Sequence, residues 1–162
     1  MAARDCIELI GATREANQGM EQRMRENNCV YCDRTSESVV WSDADCRVLH
    51  VSDSKFPGFC RVVWNSHVRE FSDLDEAARI HLMRVVATVE NALRDLLAPD
   101  KINLASLGNA VPHLHWHVIP RYRDDSHYPE AIWGAPQREG VVRGLPHDFE
   151  ATMKQELDTA FA

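Results

Sequence analysis

The chain has no run of the roughly 18 apolar residues needed to cross a bilayer. Its first ten residues carry Arg4, Asp5 and Glu8 where a secretory leader needs an apolar stretch, so a cytoplasmic protein is expected. Surplus positive charge is missing as well. Lys and Arg number 18 against 25 Asp and Glu, for a formal net charge of −7. That balance argues against binding to a nucleic-acid polymer, which needs a basic footprint. It leaves room for a small phosphate ligand, because a pocket can be locally positive on an acidic protein. The cysteines number five, an odd count that does not suggest a disulfide framework in a cytoplasmic chain. Internal repeats, low-complexity tracts and obvious linkers are absent.

What is present is a 162-residue chain, 44% hydrophobic and 27% charged, which fits one globular domain with a real core. Residues 4–26, rich in Arg, Glu, Met, Gln and Ala, predict a helix with a weak apolar face, broken at Asn27-Asn28. The resulting organisation is a helical extension over 1–28, a main domain over 29–140 and a helical tail over 141–162. Short β-branched runs at Val39–Trp41 and Cys46–Val51, separated by Ser42-Asp43-Ala44-Asp45, predict a hairpin. A turn at Lys55–Gly58 leads to a strand over Phe59–Trp64. Asp73, with Glu76 three residues on, predicts a capped helix start, and the helix then buries Leu74, Ala78, Leu82, Val85, Val86, Val89, Leu93, Leu96 and Leu97. Pro99 ends it. Strands are expected at Ile102–Ala105 and Val111–Ile119, the latter stopping at Pro120, and a last helix at about Asp148–Thr159. Hairpins, one long helix and further strands make an α+β fold.

The densest chemistry lies in Pro112-His113-Leu114-His115-Trp116-His117-Val118-Ile119-Pro120. On a strand, His113, His115 and His117 share one face at about 7 Å intervals, while Leu114, Trp116 and Val118 share the other. Core packing asks for no such row. Partly solvated histidines, a metal site and nucleophilic attack on phosphorus are the three readings. Cys29-Val30-Tyr31-Cys32 is a C-x-x-C pair. It supplies two of the four ligands a tetrahedral zinc needs, or else two incidental thiols; no strand leads into it as in a thioredoxin motif. Cys6, Cys46 and Cys60 read as small apolar residues.

His113-Leu114-His115-Trp116-His117-Val118-Ile119 resembles the signature of the histidine-triad (HIT) family. The segment Asn103–Asn109 resembles its phosphate-binding stretch, and Gly58–His67 with the helix after it resembles its central strand and helix. The likeness covers about residues 29–121. It implies a HIT-like antiparallel sheet of about five strands with one long helix. By the same resemblance His115 attacks the α-phosphorus and carries a nucleotidyl intermediate that water resolves. His117 hydrogen-bonds the phosphate and orients His115, while Asn103, Gly108 and Asn109 serve the nucleotide phosphate. Substrates would be dinucleoside polyphosphates or nucleoside phosphoramidates, and the active form a homodimer with joined sheets. The resemblance further implies a structural zinc held by Cys29, Cys32, His67 and His113, as in some HIT proteins and the related galactose-1-phosphate uridylyltransferases.

Two positions depart from the family pattern. Phe59 follows Gly58 where the family has histidine, and Val51 stands where many members place an acidic residue for the ribose, with Asp53 displaced. Arg121, Arg123 and Lys55 are candidate sources of positive potential, and Trp133 a cover for a nucleobase or a packing residue. His81, His127 and His147 are expected on the surface. Alternatives to the hydrolase are a nucleotidyltransferase or phosphorylase using an acceptor other than water, a non-catalytic nucleotide-binding protein, and a hydrolase using all three histidines at one metal.

Overall fold

The computed structural model describes residues 29–162; the helix expected over residues 4–26 lies outside them. The chain divides into two units, residues 1–35 and 36–162. In the described part of the first, Cys29 enters a short helix, α1 (Val30–Asp33), in extended conformation, and the Cys32 amide donates to the Cys29 carbonyl at 2.9 Å. Arg34 closes the turn in the left-handed region.

The second unit is built on strands β1 (Val39–Ser42), β2 (Cys46–His50), β3 (Cys60–Trp64), β4 (Lys101–Ala105) and β5 (His115–Arg121). All neighbours are antiparallel, in the order β1-β2-β3-β5-β4. The β1–β2 hairpin forms as its polar link predicts. Asp43 Oδ1 accepts from the amides of Asp45 and Cys46, an Asx turn that reverses the chain. Gly58 ends the turn before β3 at φ +80°, a backbone conformation that favours glycine, and it lies against the Leu97 side chain.

The long helix α2 (Glu76–Leu97) starts later than the sequence suggests. Asp75, not Asp73, is its N-cap and accepts from the Ala78 amide, while Asp73 forms a capping box with Glu70 on the preceding 3₁₀ turn, Phe71–Asp73. Helix α3 (Phe149–Ala160) closes the chain. Because strand side chains alternate, Cys46, Val48, Cys60, Val62 and Val118 all point to one face. There they meet Leu82, Val85, Val86, Val89 and Leu93 of α2 and Phe149, Met153 and Leu157 of α3 in the main core. Cys46 and Cys60 are fully buried in it. Leu93→Ala is expected to lower unfolding free energy by about 2–5 kcal/mol, read as a shift of the urea midpoint. No helix among the described residues is long and apolar enough to cross a membrane.

Candidate active site

Helices α2 and α3 cover one face of the sheet, and His115 and His117 lie on the other. Strand β5 begins only at His115, four residues later than expected, and runs through Pro120 to Arg121. The reason is in the backbone. The His113 amide is taken by the Val111 carbonyl and the Leu114 amide by the Val68 carbonyl, so ladder pairing starts at His115, opposite Val63. The three histidines therefore do not form one row. His115 and His117 share the open face with ring centroids 4.7 Å apart. His113 turns away, its Nε2–H donating to the Trp64 carbonyl at 2.7 Å and its ring edge-on to His67 at 5.1 Å.

His115 is buried, and its Nδ1–H donates to the His113 carbonyl at 2.6 Å. A carbonyl only accepts, so this bond fixes the tautomer and leaves the lone pair on Nε2. Burial pulls the His115 imidazole below its ordinary value against that hydrogen bond, and the charge of Arg61 adds to the effect. His117 is pushed down to about 3 by burial, with His115 and Arg61 contributing. Both rings are thus neutral at physiological pH, the state a nucleophilic nitrogen needs. His117 Nδ1 is buried with no hydrogen-bond partner, a rare arrangement in folded proteins.

Around this pair stand aromatic and basic groups. The Phe59 ring lies 5.6 Å from His117 and belongs to a small cluster with Phe56 and Ile119, flanked by Val51 and Ile132. Val51 thus packs rather than presenting a polar group. Trp133, half exposed, sits edge-on to His117 at 5.1 Å. Asn103 is on β4, and its Oδ1 is already engaged by Arg121 Nη1 at 2.6 Å. Gly108 holds φ +72° in the β4–β5 connection, and Asn109 beside it is exposed.

Arg121 differs from its expected role: it is 1% exposed and ion-paired, rather than free to supply potential. Its Nε and Nη2 donate to the carboxylate of Asp125, and Nη2 also to the Glu130 carbonyl. Asp125 in turn accepts from the amides of Tyr122, His127 and Tyr128. Burial alone would raise the Asp125 pKa, but these bonds outweigh it and hold the carboxyl at about 2. Its folded value lies below the unfolded one of about 3.9, so its stabilisation, about 2–3 kcal/mol, is complete above about pH 5 and lost as pH falls through 4 towards 2. The gap in urea midpoint between wild type and Asp125→Asn should therefore shrink between pH 4 and pH 2; a constant gap would contradict this.

His127 is likewise buried, bonded to Ser126 Oγ through Nδ1 at 2.8 Å, contrary to its expected surface position. His81 is half-buried and pairs with Asp43 at 2.7 Å, tying α2 to the hairpin. His147 is exposed. Arg123 is exposed beside Asp100, and Lys55 is exposed. Sequence reasoning passed over Arg61. Its one available signal was a lone cation inside the apolar run Cys60–Trp64.

Cys29 and Cys32 of the first unit and His67 and His113 of the second are Cys/His donors that could bind a metal ion. The donor set, two thiols and two imidazoles, is that of closed structural zinc sites. His113 also meets an independent requirement. Zinc-binding histidines give their second N–H to a carboxylate or carbonyl, as His113 does to Trp64.

Fold and site together define a histidine-bearing sheet of the kind found in histidine-triad proteins. The HIT domain family model matches residues 33–124. Among solved structures, a histidine triad protein from Bradyrhizobium japonicum is similar at 27% identity and TM-score 0.64, covering 76% of this chain and 92% of that one. A histidine triad protein from Marinobacter aquaeolei is 27% identical at TM-score 0.60, covering 79% and 92%. A zinc-bound histidine triad family protein from Mycobacterium smegmatis shares the fold at 17% identity and TM-score 0.58, covering 83% and 96%. No curated protein matches the chain. The chain belongs to the HIT domain family.

Proposed function

We propose that the protein is a nucleotide hydrolase that cleaves phosphoanhydride or phosphoramidate bonds through a nucleotidyl-histidine on His115. The observation that supports this most is the tautomer of His115, a buried neutral imidazole whose Nδ1–H is tied to a carbonyl so that Nε2 keeps its lone pair. Nε2 attacks the α-phosphorus, and the bond to the leaving group breaks, the leaving group departing with the bonding pair and taking up a proton. Water then attacks phosphorus, the N–P bond breaks back to neutral His115, and nucleoside monophosphate leaves as the water gives up its proton. His117 donates to a phosphate oxygen, where charge builds in both steps. Asn103 through its amide, with Gly108 and Asn109 through the loop backbone, completes the phosphate cradle.

In this reading Cys29, Cys32, His67 and His113 hold a structural zinc with no open position, which clamps the segment before β5. The working form is a cytoplasmic homodimer. β4 is an edge strand of the sheet, and Leu104 and Leu107 are exposed along and beyond it, which suits pairing with a second copy. Sedimentation should then give about twice the mass of the 18.4 kDa chain. The test of function is release of nucleoside monophosphate from dinucleoside polyphosphates and nucleoside phosphoramidates, with and without added phosphate. Release in water supports the hydrolase, release only with phosphate makes it a phosphorylase, and none from any substrate overturns the reading.

A further inference from the structure

Among the described residues Arg61 has no ion pair or hydrogen bond that accounts for it. It lies on β3 directly opposite His117 in the ladder, so both side chains leave the sheet on the same open face. Its neighbours across that row are Leu49 on β2 and, beyond His117, Ala105 on β4. None is a carboxylate. Among the described residues the structure gives Arg61 no ion pair, and its Nε is buried with no hydrogen-bond partner. What holds it is the Phe59 ring, 5.4 Å from the guanidinium carbon, and that same ring lies 5.6 Å from His117.

Arg47 and Arg121, the two buried arginines of the sheet, behave differently. Arg47 is bonded through Nε and Nη2 to Glu37 and through Nη1 to Asn65. Arg121 is bonded to Asp125, Asn103 and the Glu130 carbonyl. The two fully buried guanidinium groups are therefore satisfied by acceptors of their own chain, whereas half-buried Arg61 keeps an Nε shielded from solvent with no such acceptor. Its ladder partner His117, 5% exposed, carries a second buried atom without a hydrogen-bond partner, Nδ1. Two polar groups left open side by side, one a planar fork that matches phosphate oxygens in pairs, mark a place for an anion.

We infer that Arg61 forms a second anion subsite next to the phosphorus attacked by His115, selecting substrates that carry at least two anionic groups over those with one. This rests on the reading of His115 as the nucleotidyl acceptor, and it refines that reading. Of the two candidate substrate classes it favours nucleoside polyphosphates, whose neighbouring phosphoryl group is charged, over phosphoramidates with an uncharged amine. Phe59 keeps the guanidinium stem and plane in place, as aromatic faces do for arginine.

The experiment has a binding arm and a turnover arm. Affinities of ADP and AMP, with GDP and GMP in parallel, are measured by titration calorimetry on wild type, Arg61→Met and Arg61→Lys. The diphosphate should bind wild type at least ten-fold more tightly than the monophosphate. Arg61→Met should erase that preference, and Arg61→Lys should keep only part of it, because lysine retains the charge and loses the fork. In turnover, the ratio of kcat/KM on a dinucleoside polyphosphate to that on a phosphoramidate should fall at least ten-fold in Arg61→Met. Equal affinity of wild type for the two nucleotides, or an unchanged preference in folded Arg61→Met, overturns the subsite. Failure of wild type to turn over either substrate counts against the nucleotidyl-histidine reading, and the binding arm then decides the subsite by itself.

Discussion

His115→Asn is expected to lose at least about 10⁴-fold in kcat on any substrate the wild type cleaves, and to keep its fold. The size follows from what is removed. Of the two histidines on the open face, His115 is the one whose lone pair, on Nε2, is fixed by a hydrogen bond on the opposite ring atom. Asparagine fits the volume of the site, can still donate to the His113 carbonyl, and offers no nucleophile. Melting should stay within about 5 °C of wild type, on the scale of 2–4 °C per kcal/mol for a chain this long. Intact mass after rapid quench in alkaline denaturant, where the N–P bond survives, should show wild type heavier by one nucleotidyl group, and no such species in the variant. His117→Ala should cost less, about 10²–10³-fold, because it removes a donor to developing charge rather than the attacking atom. A folded His115→Asn protein that turns over at the wild-type rate would end the nucleophile assignment.

Replacing Cys29 by serine is expected to take zinc content from about one ion per chain to near zero and to lower the melting temperature by about 5–15 °C. A hydroxyl is a poor ligand beside one thiolate and two imidazoles, and metal-binding free energy is in large part folding free energy. The scale of 2–4 °C per kcal/mol sets the range. Chelation of the wild type should reproduce the thermal shift, with loss of turnover lagging behind loss of stability, since a closed four-ligand shell has no place for substrate. Immediate loss of turnover at unchanged stability would instead support chemistry at the metal. Unchanged metal content and melting in Cys29→Ser would remove Cys29 from the cluster.

Much of the sheet was legible because its signals are local. The polar link Ser42–Asp45 between two β-branched runs makes the first hairpin, and the apolar stripe from Leu82 to Leu93 makes the core face of α2. The start of β5 was not legible. His113 and Leu114 continue the alternation that a strand requires, yet their amides go to Val111 and to Val68, 46 residues from Leu114 in sequence, and only the Leu114 carbonyl still pairs with β3, through the Trp64 amide. The family resemblance supplied roles for His115 and His117, and the structure placed them side by side. It also showed that the alternation which seemed to align three histidines aligns two.

The buried charges were the hardest part to read. Charged residues lie outside by default, so Arg121 looked like a surface cation and Asp125 attracted no notice. Their pairing depends on a loop that returns to offer amides of Tyr122, His127 and Tyr128, and no local pattern announces that. Arg61 was visible as an anomaly in an apolar strand, yet its meaning needs the register that sets it against His117.

The partner that orients His115 is a main-chain oxygen. In many hydrolases the orienting group is a carboxylate, and one nucleotide change in the gene can delete it. Here every amino acid that could occupy position 113 brings the same carbonyl. The nucleophile's alignment is therefore shielded from single-residue inheritance at that position, and drift can reach it only by moving the backbone. A lineage could exchange the side chain at 113, and whatever that side chain holds, while the neighbouring imidazole still has its acceptor.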